Sequence, residues 1–372
     1  MKIRVVVMLM LAMGSGYTRA AENVVLITID GVRWQELFRG LDPRLAEHED
    51  YAVRSDELMS AFWRGTAGER RGLIMPFVYQ VLTAQGVVIG DRDRGSCARM
   101  SNDWNFSFPG YNEILSGVTN DAIDSNAKVP NPERTFLELL QQNPAFADRA
   151  AAFGSWDVFP YIYNIERSGI PVNTDIASDP ANEFEQFLNT LQQDVSPHWP
   201  TVRHDAFTHH YALSYLREQQ PRVLHIAYGE PDDFAHDGKY DEYVFASRRV
   251  DGFIEEVWHT LQSLDQYRDN TALFITVDHG RGEEPIATWQ HHASQRAVEQ
   301  YMTGLAMYEN GIEGSDAIWM AAMGAGVPAR GTVATDTCLS ADAIAATLMR
   351  WLGEDYRDYN DAMAAPMKEF LP

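Results

Sequence analysis

The chain has 372 residues, 45% of them hydrophobic, with a formal charge of −23 and two cysteines. That length and apolar content suit one large α/β domain with an inserted cap, or two domains, and set aside disorder as the default. The acidic surplus argues against a nucleic-acid polymer as partner, because no basic excess exists to displace counterions; a small phosphorylated substrate would have to meet positive charge supplied locally, for which bound divalent cations are candidates.

Lys2 and Arg4 precede an apolar run over residues 5–13 and a small, polar run ending at Ala20. Residues 1–20 therefore read as a secretory leader cleaved near Ala20 or Ala21, too short in its apolar part to span a bilayer. A periplasmic or secreted protein without a stable membrane anchor is expected, its catalytic domain covering residues 21–372. Cys97 and Cys338 are compatible with export whether or not they pair, and two cysteines exclude a Cys-rich zinc site.

Next comes an apolar strand over residues 24–29 that runs straight into Asp30-Gly31. Residues 73–83 predict a helix feeding a strand at 87–89, and residues 135–140 a helix with Pro132 in its first turn, followed by a strand at 150–153. The segment 160–220 is aromatic and proline-punctuated, helical over 182–193 and 204–219, and reads as a cap or connecting structure. A strand at 222–228 leads to Asp232 and His236, a helix spans 241–264, and a strand at 271–277 delivers Asp278-His279-Gly280. A strand at 317–323 and a helix at 341–352 complete the alternation, which predicts a mostly parallel central sheet with helices on both faces.

In such sheets ligands bind beyond the carboxyl ends of the strands, where Asp30, Asp232, His236, Asp278 and His279 all fall. Aspartate and histidine without cysteine suit Zn²⁺, with Mn²⁺ as the alternative, and there are more donors than one tetrahedral ion can use. Two divalent ions, set about 3.5–4 Å apart in known pairs, can clamp the attacking and leaving oxygens of an in-line displacement at phosphorus.

Four blocks resemble the alkaline phosphatase superfamily, and most closely its nucleotide pyrophosphatase/phosphodiesterase-like branch: Asp30-Gly31-Val32-Arg33; the segment from Ser107-Phe108-Pro109-Gly110 to Ser116-Gly117; Asp232 and His236 separated by three residues; and Asp278-His279-Gly280. A further histidine is offered by His291 and His292, of which His292 is preferred. The resemblance implies an alkaline phosphatase-like fold, one ion held by Asp30, Asp278, His279 and the Ser107 oxygen, a second held by Asp232, His236 and His292, and Ser107 as the nucleophile forming a covalent phosphoserine. It also implies an asparagine at the phosphoryl oxygens, for which Asn126 stands in, with Asn112 and Asn131 as rivals; Arg33 is a further candidate for binding phosphate oxygens. The branch usually carries asparagine where this chain has Gly110.

The activity implied is hydrolysis of phosphodiesters or phosphomonoesters. One alternative is a cofactor-independent phosphoglycerate mutase-like phosphotransferase, disfavoured because only about 125 residues separate Ser107 from Asp232. Another is a sulfatase-like hydrolase, whose signature Ser107 and Pro109 fit but Tyr111, standing in the arginine position, does not. A non-catalytic metal-binding protein is the third.

Overall fold

A computed structural model describes residues 20–177 and 179–372, so the expected leader lies, but for Ala20, outside the described residues. The described residues form eleven strands: β1 Asn23–Ile29, β2 Gly86–Ile89, β3 Ala98–Arg99, β4 Ala150–Gly154, β5 Val172–Asn173, β6 Val223–Tyr228, β7 Thr271–Val277, β8 Ala317–Ile318, β9 Met320–Gly324, β10 Gly331–Thr332 and β11 Leu339–Ser340. Eight of them make one sheet in the order β10-β2-β9-β7-β1-β6-β4-β5, and β11-β3-β8 make a small second sheet. Every residue of β1, β6 and β7 is buried, as the Val, Ile and Leu in these strands require when both faces of a sheet are covered by helices.

The register of the three central strands places the site. β1 pairs in parallel with β6 on one side and β7 on the other, and Ile29 lies opposite both Tyr228 and Val277. The three strands thus end level, and the next residues of each chain segment emerge side by side. The sheet is mostly parallel, with one departure: β9 runs antiparallel to both neighbours, β2 and β7.

The single strand expected over 317–323 is two. β8 joins the small sheet and β9 the large one, with the fully buried Trp319 between them. Trp319 donates its indole N–H to the Val32 carbonyl, anchoring this crossing point beneath the loop after Asp30. The helix expected at 135–140 is Phe136–Leu140, capped by the Thr135 hydroxyl, so Pro132 precedes the cap and does not sit in the first turn. Of the segment 160–220, helix Asp205–Glu218 packs against β4 and β6 and so belongs to the helical layers of the sheet. A disulfide between Cys97 and Cys338, with Cα atoms 4.4 Å apart, ties the start of β3 to the start of β11.

Candidate active site

Each donor is positioned by an element whose sequence accounts for it. Asp30 follows β1 and Asp278-His279 follow β7, while Asp232 and His236 sit one turn apart on helix Glu230–His236, which begins just beyond β6. A four-residue spacing on a helix puts both side chains on one face. His292 arrives on the loop after the turn Ile286–Gln290, and Ser107 is the first residue of helix Ser107–Ser116. Gly31, at φ +60°, is needed where the chain turns after Asp30: a Cβ there would lie 2.6 Å from Asp232 Oδ1 and 2.8 Å from Arg281 Nε.

These residues converge. His279 Nε2 lies 3.2 Å from Asp30 Oδ1, 3.6 Å from Asp278 Oδ2, 3.6 Å from Asp232 Oδ1 and 3.4 Å from Ser107 Oγ. His236 Nε2 lies 3.2 Å from Asp232 Oδ2 and 3.1 Å from His292 Nε2. Two overlapping donor sets result, Asp30–Asp278–His279 and Asp232–His279–His292. His279 stands between them, its ring stacked on that of His292 with centroids 3.7 Å apart.

Around Asp30 and Asp278 the hydrogen bonds leave one oxygen of each carboxylate unengaged, whereas Asp232 accepts from Arg281. His279 Nδ1 lies 3.0 Å from its neighbour Gly280's carbonyl and His292 Nδ1 lies 3.1 Å from that of Asn105, so the ring proton belongs on Nδ1 and the Nε2 lone pair faces inward. Asp30 Oδ1 and Asp278 Oδ2 are fully buried and accept no hydrogen bond. Burial, and then the facing carboxylates, hold Asp30 and Asp278 well above the ordinary carboxylate range. Burial acts in the same direction on Asp232, but Arg281, His236 and His279 outweigh it and hold that carboxyl well below the range. His292 is pressed well below its ordinary value by burial and by His279, which favours the neutral ligand form. Unpartnered buried carboxylate oxygens are costly unless a cation joins them, and oxygen with imidazole nitrogen donors fits a borderline divalent metal.

Other candidates have different fates. Arg33 does not face the set: its guanidinium is buried, paired with Glu36, and donates to the Gly282 carbonyl, which corrects the expectation that it steadies phosphate oxygens. Asn126 accepts the Phe108 N–H on Oδ1 at 3.0 Å, at the first turn of the Ser107 helix, and its amide NH₂ has no hydrogen-bond partner among the described residues. Its rivals are engaged elsewhere, Asn112 with the Val118 carbonyl and Asn131 with Asn112 and the Ile162 carbonyl. Of the adjacent histidines, His292 enters the site and His291 packs near Tyr308. Among rival hydroxyls, Ser116 donates to the Asn112 carbonyl of its own helix, and the Tyr111 hydroxyl donates to Asp30 Oδ2 at 3.1 Å.

Three contributors were not singled out in these roles from sequence. Tyr111 orients Asp30. Asn105, at φ +56°, presents the carbonyl that fixes His292; asparagine is among the few residues that tolerate this conformation, but nothing in the local pattern marks it. Arg281 is buried and paired with Asp232, donating to both its carboxylate and its backbone carbonyl, and also to the Gln290 carbonyl at 2.6 Å.

The fold is alkaline phosphatase-like. Comparison with solved structures finds the wild-type alkaline phosphatase PafA at TM-score 0.61 and 11% identity, covering 95% of this chain and 99% of that one. A 2-O GAG sulfatase matches at TM-score 0.54 and 13% identity over 94% of this chain and 72% of its own. A phosphonate monoester hydrolase from Silicibacter pomeroyi matches at TM-score 0.52 and 12% identity over 94% and 76%. Comparisons with protein-family models and with curated protein sequences return no match, so the likeness is one of fold.

Proposed function

We propose that the chain is a metal-dependent phosphoric ester hydrolase acting on phosphodiesters or phosphomonoesters through Ser107. The observation that carries this reading is the pair of buried, unpartnered carboxylate oxygens on Asp30 and Asp278, set around His279 Nε2 with the Ser107 hydroxyl 3.4 Å away. Asp30, Asp278 and His279 would hold one divalent ion and Asp232, His236 and His292 a second, with His279 placed close to both sets. When bound, such ions polarise phosphoryl oxygens and lower the pKa of a coordinated hydroxyl.

The chain's own groups do the rest. Ser107, at the first position of its helix, presents its hydroxyl to the donor cluster; its oxygen attacks phosphorus and gives up its proton as the P–O bond to the ester alcohol breaks and the alcohol leaves, and water then cleaves the phosphoserine and releases the phosphoryl group. The free amide NH₂ of Asn126, held in place through Phe108, is available to a phosphoryl oxygen. Arg281 offsets the charge of the Asp232 carboxylate it pairs with, which reduces the repulsion an incoming anion would meet. The structurally similar sulfatases, with Ser107-Phe108-Pro109, support sulfate esters as the second reading. Against it, the residue in the position of the sulfatase arginine is Tyr111, whose hydroxyl is spent on Asp30. The disulfide supports an oxidising, periplasmic or secreted setting, and among the described residues no helix is long and apolar enough to cross a membrane.

Turnover of p-nitrophenyl phosphate, bis-p-nitrophenyl phosphate and p-nitrophenyl sulfate, before and after chelation and with Zn²⁺ or Mn²⁺ restored, tests the reading. Metal-dependent release from either phosphate ester is expected, and release from the sulfate alone would transfer the assignment to sulfatases. Ser107→Ala should lower turnover by about 10³-fold or more while two ions remain bound by elemental analysis; retained activity would place the nucleophile on another group.

A further inference from the structure

Asn126 is held in two places. Its Oδ1 accepts the Phe108 N–H at 3.0 Å, and its own backbone N–H donates to the Tyr301 hydroxyl at 3.1 Å. The Phe108 N–H is one of the first donors of the Ser107 helix, which no carbonyl within the helix can satisfy, so it fixes the carboxamide with oxygen toward the helix and NH₂ away from it. Little else holds this stretch of chain. None of residues 124–130 is buried. Among the described residues, hydrogen bonds tie them to the rest of the molecule only at Asn126 and at Lys128, whose Nζ pairs with Asp157 Oδ2 at 2.7 Å.

Tyr301 is anchored to the opposite wall of the site. It follows helix Gln295–Gln300, whose N-cap Ser294 stands two residues after His292 and donates its backbone N–H to the Trp104 carbonyl at 3.0 Å. The Tyr301 ring packs on Phe106, with centroids 5.1 Å apart, and Phe106 is the fully buried residue directly before Ser107. Trp104, Phe106, Ala293, Ala297 and Val298 belong to a hydrophobic cluster of their own, apart from the main core. The same helix makes a second tie to the Asn126 loop, where Arg296 Nη1 lies 3.1 Å from Asp121 Oδ2; that pair is largely exposed, and so weak by itself. One small cluster therefore supports the nucleophile, the His292 loop and, through Tyr301, Asn126.

We propose that Tyr301 is a positioning residue for the phosphoryl group: its hydroxyl holds the Asn126 backbone so that the side-chain NH₂ stays available beside the Ser107 helix. The proposal rests on the hydrolase reading above, and Tyr301 acts through Asn126, not on the ester itself. Tyr301→Phe keeps the ring on Phe106. Because the lost hydrogen bond is solvent-exposed, water can take its place, and Tm should stay within about 2 °C of native.

The test titrates inorganic phosphate into the metal-loaded protein by calorimetry, for native protein, Tyr301→Phe, Asn126→Ala and the double variant, with bound ions counted in each. Turnover of p-nitrophenyl phosphate and bis-p-nitrophenyl phosphate is measured alongside. Asn126→Ala should weaken phosphate by about tenfold, the usual effect of losing one hydrogen bond to an anion. Tyr301→Phe should weaken it by about threefold or more, yet add nothing in the Asn126→Ala background, because a residue that acts through another has no separate effect once that one is gone. A tyrosine with a merely structural role would cost the same in both backgrounds. Native affinity in either single variant, effects that multiply in the double variant, or loss of an ion in Tyr301→Phe overturns the proposal, while metal-dependent turnover leaves the hydrolase reading standing. Should no ester be cleaved, the hydrolase reading fails, and the phosphate titration decides the positioning role by the same criteria. No phosphate binding by the native protein overturns it as well.

Discussion

Arg281 joins three of the four chain segments that carry the metal-donor residues. It follows His279 by two residues, donates to the carboxylate and carbonyl of Asp232, and reaches the Gln290 carbonyl two residues before His292. Removing it would leave Asp232 without its strongest partner and free the His292 loop. Arg281→Gln should therefore weaken the ion at Asp232, His236 and His292 by about 10-fold or more, the usual cost of losing a group that orients a ligand. Elemental analysis after dialysis against a graded chelator should then show stoichiometry falling from two toward one. Two ions held with native affinity would reduce Arg281 to a packing role. The contrast between residues read in sequence and those missed follows from how each is delivered. Asp30, Asp232 and Asp278 stand at or just beyond the ends of apolar strands, a local pattern visible in one dimension. Tyr111, Asn105 and Arg281 act through contacts with residues 81, 187 and 49 positions away, and no local periodicity encodes those. Gly110 shows a departure from the family pattern that the structure explains: a Cβ there would lie 2.4 Å from the Asp278 carbonyl, leaving no room for asparagine.

At the scale of elements, the segment opening at Ser107 carries Pro109 and Gly110, yet it is a ten-residue helix. Proline in the first turn gives up no hydrogen bond the helix could make, and Gly117 at φ +75° ends it in the left-handed conformation. Glu113 on this helix is buried and accepts the backbone N–H groups of Ser101 and Asn102, and burial pushes its carboxyl up from the ordinary 4.5 to about 8. Its folded-state value lies above the unfolded one, so between pH 4.5 and about 8 the folded chain binds the extra proton. Its contribution is fully present below 4.5 and is lost as pH rises through about 8. Thermal melts should show Tm falling over that interval, and Glu113→Gln should flatten the slope; an unchanged slope would assign the pH dependence to other groups. The split of 317–323 into β8 and β9 was hidden for a related reason: a continuous apolar run specifies burial but not which sheet each half joins.

For the whole molecule, the mostly parallel sheet was legible from the alternation of strands and helices, while strand order and the antiparallel β9 were not, since they depend on contacts between distant segments. The disulfide is of that kind. Cys97 and Cys338 are 241 residues apart and couple β3 to β11. By loop-closure entropy such a cross-link removes on the order of 5 kcal/mol of freedom from the unfolded chain, an upper figure for its contribution. Cys97→Ser with Cys338→Ser should lower Tm by several degrees in calorimetry, with metal content retained because neither cysteine touches the donor cluster. Loss of bound metal instead would mean that the small sheet supports the site.

The level ends of β1, β6 and β7 also set the order in which this protein is completed. Its donors run from residue 30 to residue 292, so a chain emerging from its N-terminus owns no full donor set until three quarters of it has been made. On the proposed two-ion reading, ion capture would accordingly be a finishing event that locks an assembled sheet, in contrast to small zinc modules in which the ion seeds the fold.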